Sequence, residues 1–456
     1  MPQAIFCIQL FIMITFVVGW LLVAVISIRE KELIAFRRSL FLGIITAFPF
    51  LFIVFLPVSF QMIWAKLILS TTIIMGVILV FPTRSKNRTH KAIPDDYRFD
   101  ERNTMFSRAE LQPDSKRYRD YYASHPQHKT TDERFRQNPG LLSPDAAYYH
   151  SEYFKEADSL FEKIAHRRDD VDGSINPDRK TFDQQSTSRL IKNKVRELGA
   201  HSVGIAELKP YHFYTVSGRG DRYGKPVECA HHYAIALTVE MDFHAVASAP
   251  LAPTVAESAR QYLNSGLIAL NLAEYIRSLG YLARAHIDGN YLLICPLVAR
   301  DAGLGEIGRM GLLMTPKLGA RVRIAVVTTE LPLVPDEYTA DPSVQDFCRH
   351  CKKCAVNCPA GAIPMGDQQD HHGIQRWKIN DASCYSYWCA VGTDCAQCMR
   401  VCPYSHPNTF FHNVIRTGIR NLFIFRRFAL MMDDLLYGKT PKPKDLTYPT
   451  TDRHIS

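Results

Sequence analysis

The chain opens on a long apolar stretch. Met1 to Ile28 carries no charged side chain, and Ser39 to Pro82 carries only Lys66. A membrane-spanning helix needs about 20 apolar residues. Phe6–Ile28 is long enough for one span and Ser39–Pro82 for two, with Pro57–Gln61 as the turn between them. A cleavable signal peptide has a positive start and an apolar core of only about 7–15 residues, whereas this run has no early Lys or Arg and continues further. Three spans over residues 1–82 are expected, with two as the alternative. Arg29, Lys31, Arg37 and Arg38 follow the first span, and Arg84, Lys86, Arg88 and Lys91 follow the third. With three spans both groups share one side, which the positive-inside rule assigns to the cytoplasm. The expectation is a multi-pass protein of the cytoplasmic membrane with its remaining mass facing the cytoplasm. Residues 1–82 contain no histidine, which excludes a bis-histidine haem there.

Residues 83–185 are polar and rich in turn formers, and read as a wrapping linker with one helix near Tyr148–His166. From Ser186 the pattern becomes regular. Ser188–Leu198 has helical spacing and stops at Gly199. Ser202–Ala206 and His232–Glu240 read as strands. Thr254–Leu279 repeats apolar residues at helical spacing (Ala259, Leu263, Leu267, Leu270, Ile276) and is stopped by Gly280. Arg321–Thr328 reads as a buried strand. Strands alternating with helices predict an α/β or α+β core over residues 186–335. A cysteine-rich module, 336–410, and a tail, 411–456, follow.

Composition sharpens this picture at two points. The formal net charge of +9 is concentrated partly just after the apolar region, which favours membrane lipid over nucleic acid as its partner. Nine of the twelve cysteines fall between Cys348 and Cys402. Such crowding in a long chain points to metal ligands rather than disulfides. Cys7, Cys229 and Cys295 stand apart among apolar residues and read as small buried hydrophobes.

The run Cys348-x2-Cys351-x2-Cys354-x3-Cys358-Pro359 has the bacterial ferredoxin spacing. Two-residue gaps let three thiolates wrap one iron–sulfur cube, while the fourth, before proline, leaves towards another. A second set follows with Cys395, Cys398 and Cys402-Pro403, completed by Cys384 or by Cys389. By the same crossing, Cys348, Cys351, Cys354 and Cys402 hold one [4Fe–4S] cluster. Cys358, Cys395 and Cys398, with Cys384 as the fourth, hold the other. A tetrahedral zinc site does not explain two proline-terminated runs.

With these motifs in place, the chain resembles the corrinoid-dependent reductive dehalogenases, from about Asn103-Thr104-Met105-Phe106-Ser107 to Pro407. The resemblance rests on Leu198-Gly199-Ala200 with Val203-Gly204-Ile205-Ala206, and on Tyr275-Ile276-Arg277 with Leu279-Gly280-Tyr281. It continues through Ala302-Gly303-Leu304-Gly305-Glu306, Gly308-Arg309, Arg321-Val322-Arg323, Leu331-Pro332-Leu333 and Asp346-Phe347-Cys348. Each is modest alone; together and in order they are specific. The family's Cys-Tyr pair matches Cys384-Tyr385, which prefers Cys384 over Cys389.

The resemblance implies a nitroreductase-like core that binds cobalamin base-off, with a ferredoxin-like two-cluster module beside it. No Asp-x-His-x-x-Gly pattern is present, in keeping with a family that holds its corrinoid without a histidine ligand. It implies corrinoid contacts at Gly303, Gly305 and Arg323, an organohalide substrate, and cleavage of its carbon–halogen bond. A tyrosine, here Tyr262, would deliver the proton to carbon, with Arg321 as the nearby cation. A phenol has a pKa of about 10, and a close cation lowers it and makes a better acid. Asp288 stands where dehalogenases often carry asparagine, with Asn290 two residues on. In the related epoxyqueuosine reductases an aspartate acid occupies a comparable segment, so Asp288 is a further candidate acid or substrate ligand.

Two other readings remain. One is an epoxyqueuosine-reductase-like enzyme, for which a three-span anchor is a poor fit. The other is a membrane-anchored electron-transfer protein, which leaves the motifs from Leu198 to Arg323 unexplained. A ferredoxin, a flavodoxin or a quinol would each serve as electron donor. Gly303-x-Gly305-x-x-Gly308 matches a dinucleotide-binding pattern, but Pro316 cuts short the helix that should follow. His231-His232 and His371-His372 are adjacent in sequence, so their side chains point apart.

Overall fold

The computed structural model describes residues 2–54, 97–228 and 230–444, with 56, 57, 59–64, 66, 67, 70, 71 and 94. The chain divides into two units, Met1–Asn87 with Thr409–Pro441, and Arg88–Asn408 with Lys442–Ser456.

The first unit begins with helices α1 (Pro2–Arg29) and α2 (Leu33–Val54), which pack side by side. They turn at Glu30-Lys31-Glu32, with Lys31 in the left-handed region (φ 55). A Cβ on Gly43 would stand 3.2 Å from the Cβ of Trp20, so glycine permits the close approach. Leu10–Arg29 and Leu33–Phe52 are each long and apolar enough to cross a membrane. Phe11, Leu22, Phe41, Ile44 and Phe48 remain exposed on their surfaces, and so does Cys7, contrary to its expected burial. The expected third span lies largely outside the described residues, as does Cys229.

In the second unit the expected linker is more helical than its composition indicated. It contains α3 (Met105–Ala109), α4 (Lys116–Ser124), α5 (Pro126–Arg136) and α6 (Ser151–Ala165); only α6 was anticipated. Then come α7 (Gln184–Glu197), β1 (Ser202–Glu207), β2 (Tyr233–Glu240), α8 (Phe243–Ala247), α9 (Ala252–Ser278), β3 (Ala283–His286) and α10 (Cys295–Asp301). The short strands β4 (Glu306–Ile307) and β5 (Leu313–Met314) form a hairpin, and β6 (Val322–Thr329) returns to the main sheet.

The main sheet is antiparallel with order β1-β2-β6-β3. Side chains alternate across it with period two. Ile235, Leu237, Ala325 and Val327 face α9 in one core, and Ala234, Ala236 and Val326 face α10 in the other. Both faces are covered, which explains why β2 reads as a nearly unbroken apolar run. Gly204 is required for this packing, because a Cβ there would stand 2.1 Å from the carbonyl oxygen of Ala302. The Gly303–Gly308 segment leads into the β4–β5 hairpin and opens no helix, so its dinucleotide pattern has no structural counterpart.

The cysteine-rich segment follows as α11 (Pro342–Cys351), α12 (Lys353–Val356), the hairpin β7 (Gln369–His371) and β8 (Ile374–Arg376), α13 (Asp381–Val391) and α14 (Gln397–Arg400). The first unit is completed by α15 (Phe410–Asn421) and α16 (Phe423–Leu436), where a tail was expected.

Candidate active site and iron–sulfur centre

Left-handed backbone turns bring the thiols together. Lys352 (φ 56) separates α11, which carries Cys348 and Cys351, from α12, which carries Cys354. Cys395 (φ 58) and Ala396 (φ 50) make the corresponding turn before α14. Non-glycine residues hold such angles only where the surroundings enforce them. Cys348, Cys351 and Cys354 all lie within electrostatic reach of the Arg309 guanidinium. Cys358, Cys384 and Cys395 lie within reach of Cys398, which also senses Cys354. The two groups are therefore neighbours. Cys402 is buried, and Tyr404 beyond it packs edge-on against Phe347, next to Cys348, at 5.3 Å.

These thiols fit iron–sulfur clusters. Among the described residues none of them is in a disulfide, and burial pushes Cys384 up to about 11 and Cys395 up to about 12. Thiols crowded and desolvated in this way are stable as ligands when a metal takes their protons. The N–H of Ala362 donates to Cys358 Sγ at 3.3 Å, the kind of bond that tunes cluster potential. Arg309 is fully buried and stacks on Trp377 at 4.5 Å. Its Nε donates to the Cys348 carbonyl at 3.0 Å and its Nη1 to the carbonyls of Pro364 and Gly366. Among the described residues Nη2 has no hydrogen-bond partner, as suits a cation set against an anionic group. Cys389 lies elsewhere, in an apolar cluster with Met105, Phe135 and Ala382, and its sulfur is bonded to the Tyr385 side chain.

Tyr262 is carried by α9, against the ring of Phe161. It lies deep, yet part of its surface stays open. Among the described residues its hydroxyl has no hydrogen-bond partner. The cation over its ring is Arg323, with the guanidinium carbon 4.8 Å from the ring centre. Arg323 Nη2 donates to Ser258 and, at 2.8 Å, to Asp394 Oδ2. Asp394 immediately precedes Cys395, so a single residue links this site to the second cysteine group. Burial pushes the Tyr262 phenol above its ordinary value, and Arg323 opposes that without overcoming it. The expected lowering by a cation is thus present but is outweighed by desolvation.

Arg321 does not fill the expected position. It is fully buried and donates to Ser405 O at 2.6 Å, to Glu240 at 3.1 Å and to Met241 O. The reason is register. Arg323 pairs with Val239 inside the sheet, on the face covered by α9, whereas Arg321 precedes the strand. Asp288 lies within electrostatic reach of Tyr262 and Tyr291 and is tied to Arg168 at 3.3 Å. Asn290 is held structurally, accepting from Arg284 at 2.7 Å and donating to Arg168 O at 2.6 Å. Arg219, anchored to Glu110 at 2.7 Å, also reaches Tyr262. Sequence reasoning missed Ser258, Arg219 and Asp394; only Asp394, beside a cysteine ligand motif, carried any signal.

A cavity of about 1290 Å³ lies in the same unit, larger than the roughly 300–1,000 Å³ of ordinary small-molecule pockets. Its walls include Tyr214, Ile294, Leu297, Ile307, Trp377 and Ile379. A macrocycle fits its size and mixed lining. It reaches the iron–sulfur segment at Gly308, where a Cβ would stand 3.7 Å from Cys348 Sγ. None of the predicted corrinoid contacts, Gly303, Gly305 and Arg323, lines it, and neither do Tyr262 and Asp288. Glu306, Ile307 and Gly308 do, because Gly305 is packed against the Met314 carbonyl.

Residues 347–406 match the family model of a 4Fe–4S dicluster domain. The tetrachloroethene reductive dehalogenase of Desulfitobacterium hafniense is 32% identical over 283 residues, 52% of this chain and 51% of that protein. The corresponding protein of Sulfurospirillum multivorans is 33% identical over 208 residues, 44% and 41% of the two chains. Among solved structures, the catabolic reductive dehalogenase NpRdhA is similar with a TM-score of 0.64 at 24% identity, covering 82% of this chain and 55% of that one. The chain spans about half the length of the curated relatives it matches. It carries a 4Fe–4S dicluster domain, shares the fold of a reductive dehalogenase, and is similar in sequence to reductive dehalogenases over about half its length.

Proposed function

We propose that the chain is a membrane-anchored reductive dehalogenase that replaces a carbon–halogen bond of a small organohalide by carbon–hydrogen. The observation that carries this reading is Tyr262, deep but partly open, under the Arg323 guanidinium at 4.8 Å. When bound, two [4Fe–4S] clusters supply single electrons, and a base-off cobalamin supplies the low-valent cobalt at which such a bond breaks.

Cys348, Cys351, Cys354 and Cys402 would hold one cluster, and Cys358, Cys384, Cys395 and Cys398 the other. Cys389 packs a core. A corrinoid would be held by the large cavity, whose wall includes Ile307 and Gly308, and would supply the low-valent metal chemistry. Tyr262 keeps its phenol proton at neutral pH, because burial outweighs the pull of Arg323, and gives it to the substrate carbon. As charge develops on the phenolate oxygen, Arg323 stabilises it. Ser258 and Asp394 hold the guanidinium in place, and Asp288 and Arg219 bound the substrate space. The electron donor is a ferredoxin, a flavodoxin or a quinol. The apolar helices anchor the protein in the cytoplasmic membrane as three spans, with the second unit facing the cytoplasm.

The test is halide release from halogenated phenols and alkenes by the anaerobic, cobalamin-loaded protein with a low-potential reductant. Turnover that requires both the corrinoid and Tyr262 supports the reading. A loaded protein that releases no halide from either class refutes it.

A further inference from the structure

Helices α15 and α16 bury charged side chains beside Ile419, Ala429 and Leu436 and leave apolar ones exposed. Their inner sides carry His412, Arg416, Arg426 and Asp433, all buried. His412 Nε2 meets Glu30 Oε1 at 2.8 Å, and Tyr437 donates to the same carboxylate at 3.4 Å. Arg38 Nη1 donates to the Leu435 and Leu436 carbonyls at 2.9 and 3.3 Å, satisfying the end of α16. Arg426 Nε donates to Ile419 O at 2.9 Å, satisfying the end of α15. Gly418 allows the pair to close, since a Cβ there would stand 2.5 Å from the Phe425 ring.

The outer sides carry an apolar stripe. Ile424, Phe428, Met431 and Leu435 are exposed along one stripe of α16, and Phe410 and Val414 along α15, with Phe410 86% exposed. The spacing 424, 428, 431, 435 is that of a single helix face. A helix pair surrounded by water would bury this stripe and expose the arginines. Two observations identify what covers it. First, α16 packs against α2, so the stripe continues the apolar surface of a helix able to cross a membrane. Second, Arg420 and Arg427 are exposed beside the stripe, as anionic headgroups require.

We propose that α15 and α16 form an interfacial helical hairpin whose outer stripe is inserted in the lipid bilayer that holds α1 and α2. At 1.5 Å per residue, their 12 and 14 residues extend only about 18 and 21 Å. That is short of the roughly 30 Å hydrocarbon core, so they lie in the bilayer surface and do not cross it. Charged groups on the inner side, led by the Glu30–His412 pair, clamp the hairpin to the α1–α2 turn. The inference rests on the membrane reading of α1 and α2.

The experiment uses the full chain in membrane vesicles containing anionic lipid. Peroxide oxidation of the unsubstituted protein should spare Met431 while converting Met365, an exposed methionine of the other unit (57% and 49% exposed). In parallel, the photo-reactive residue p-benzoylphenylalanine is placed at Phe428, at Leu22 of α1 and at Tyr149. Lipid adducts at Phe428 comparable to those at Leu22, with none at Tyr149, are expected. Met431 oxidised as fast as Met365, or adducts at Phe428 made with a second copy of the chain, would overturn the inference while lipid at Leu22 leaves the anchor intact. Absence of lipid at Leu22 itself would overturn both.

Discussion

Replacing Tyr262 by phenylalanine isolates one atom. Its hydroxyl has no hydrogen-bond partner among the described residues, so removal leaves no buried group unpaired. The stability change should stay within about 0.5 kcal/mol. A positioned general acid, in contrast, is worth about 10²–10⁴ in rate, which at about 1.4 kcal/mol per tenfold is roughly 3–5 kcal/mol of barrier. The Phe variant should therefore bind iron and cobalt as the parent does, unfold at the same temperature, and release halide at least about a hundredfold more slowly. Burial holds the phenol above its ordinary value. The parent's alkaline loss of activity through this group should accordingly fall above pH ~10. The assay is halide release on protein matched for metal content, across pH. A Tyr262→Phe enzyme within a few fold of the parent, or a parent that loses activity through a phenol ionising below its ordinary value, would refute the assignment. Arg323→Met is a less clean probe, because it leaves Asp394 buried without its cation, at a cost of about 3–5 kcal/mol.

Further predictions separate chemistry from structure. Arg321→Met removes a buried guanidinium from Ser405 O, Met241 O and Glu240. Loss of that donor to the two buried carbonyls should lower stability by about 1–3 kcal/mol, read as a fall in Tm, with the rate per metal-loaded molecule retained. Cys384→Ser should lower iron content towards one cluster and abolish one set of EPR signals, whereas Cys389→Ser should leave both. His286 accepts the Leu292 N–H on Nδ1, has Nε2 3.0 Å from Thr328 Oγ1, and is held well below its ordinary value by burial. Its folded form resists protonation, so stability is full above the unfolded value of about 6.5 and falls as pH drops below it. Tm should decline from pH 7 to pH 5.5, and His286→Gln should flatten that decline.

Much of this was legible because periodicity is a local signal. The apolar repeat Ala259–Ile276 located α9, and the apolar, partly β-branched run 232–240 located β2. Register is not local, which is why the cation beside Tyr262 was placed at Arg321, two residues before the one that faces α9. The strand β3 was missed because Ala283-Arg284-Ala285-His286 has no β-branched residue and is a strand only through pairing with β6. Helices α3 to α5 were missed because their surfaces are polar and a few side chains, such as Tyr121, Tyr122 and Phe135, provide all their anchorage. The cysteine spacing named the cluster module, but choosing between Cys384 and Cys389 depended on which side of α13 faces Cys358. The C-terminal hairpin escaped notice because several of its charged residues, His412, Arg416, Arg426 and Asp433, are buried, where charge suggested surface.

The most direct test of the central claim is the metal content and EPR spectrum of the full chain purified without oxygen in the presence of cobalamin. The account predicts about eight irons and about one cobalt per chain, with a base-off Co(II) signal beside those of two [4Fe–4S] clusters. About eight irons with no retained cobalt would contradict it, leaving an iron–sulfur electron carrier on a dehalogenase fold.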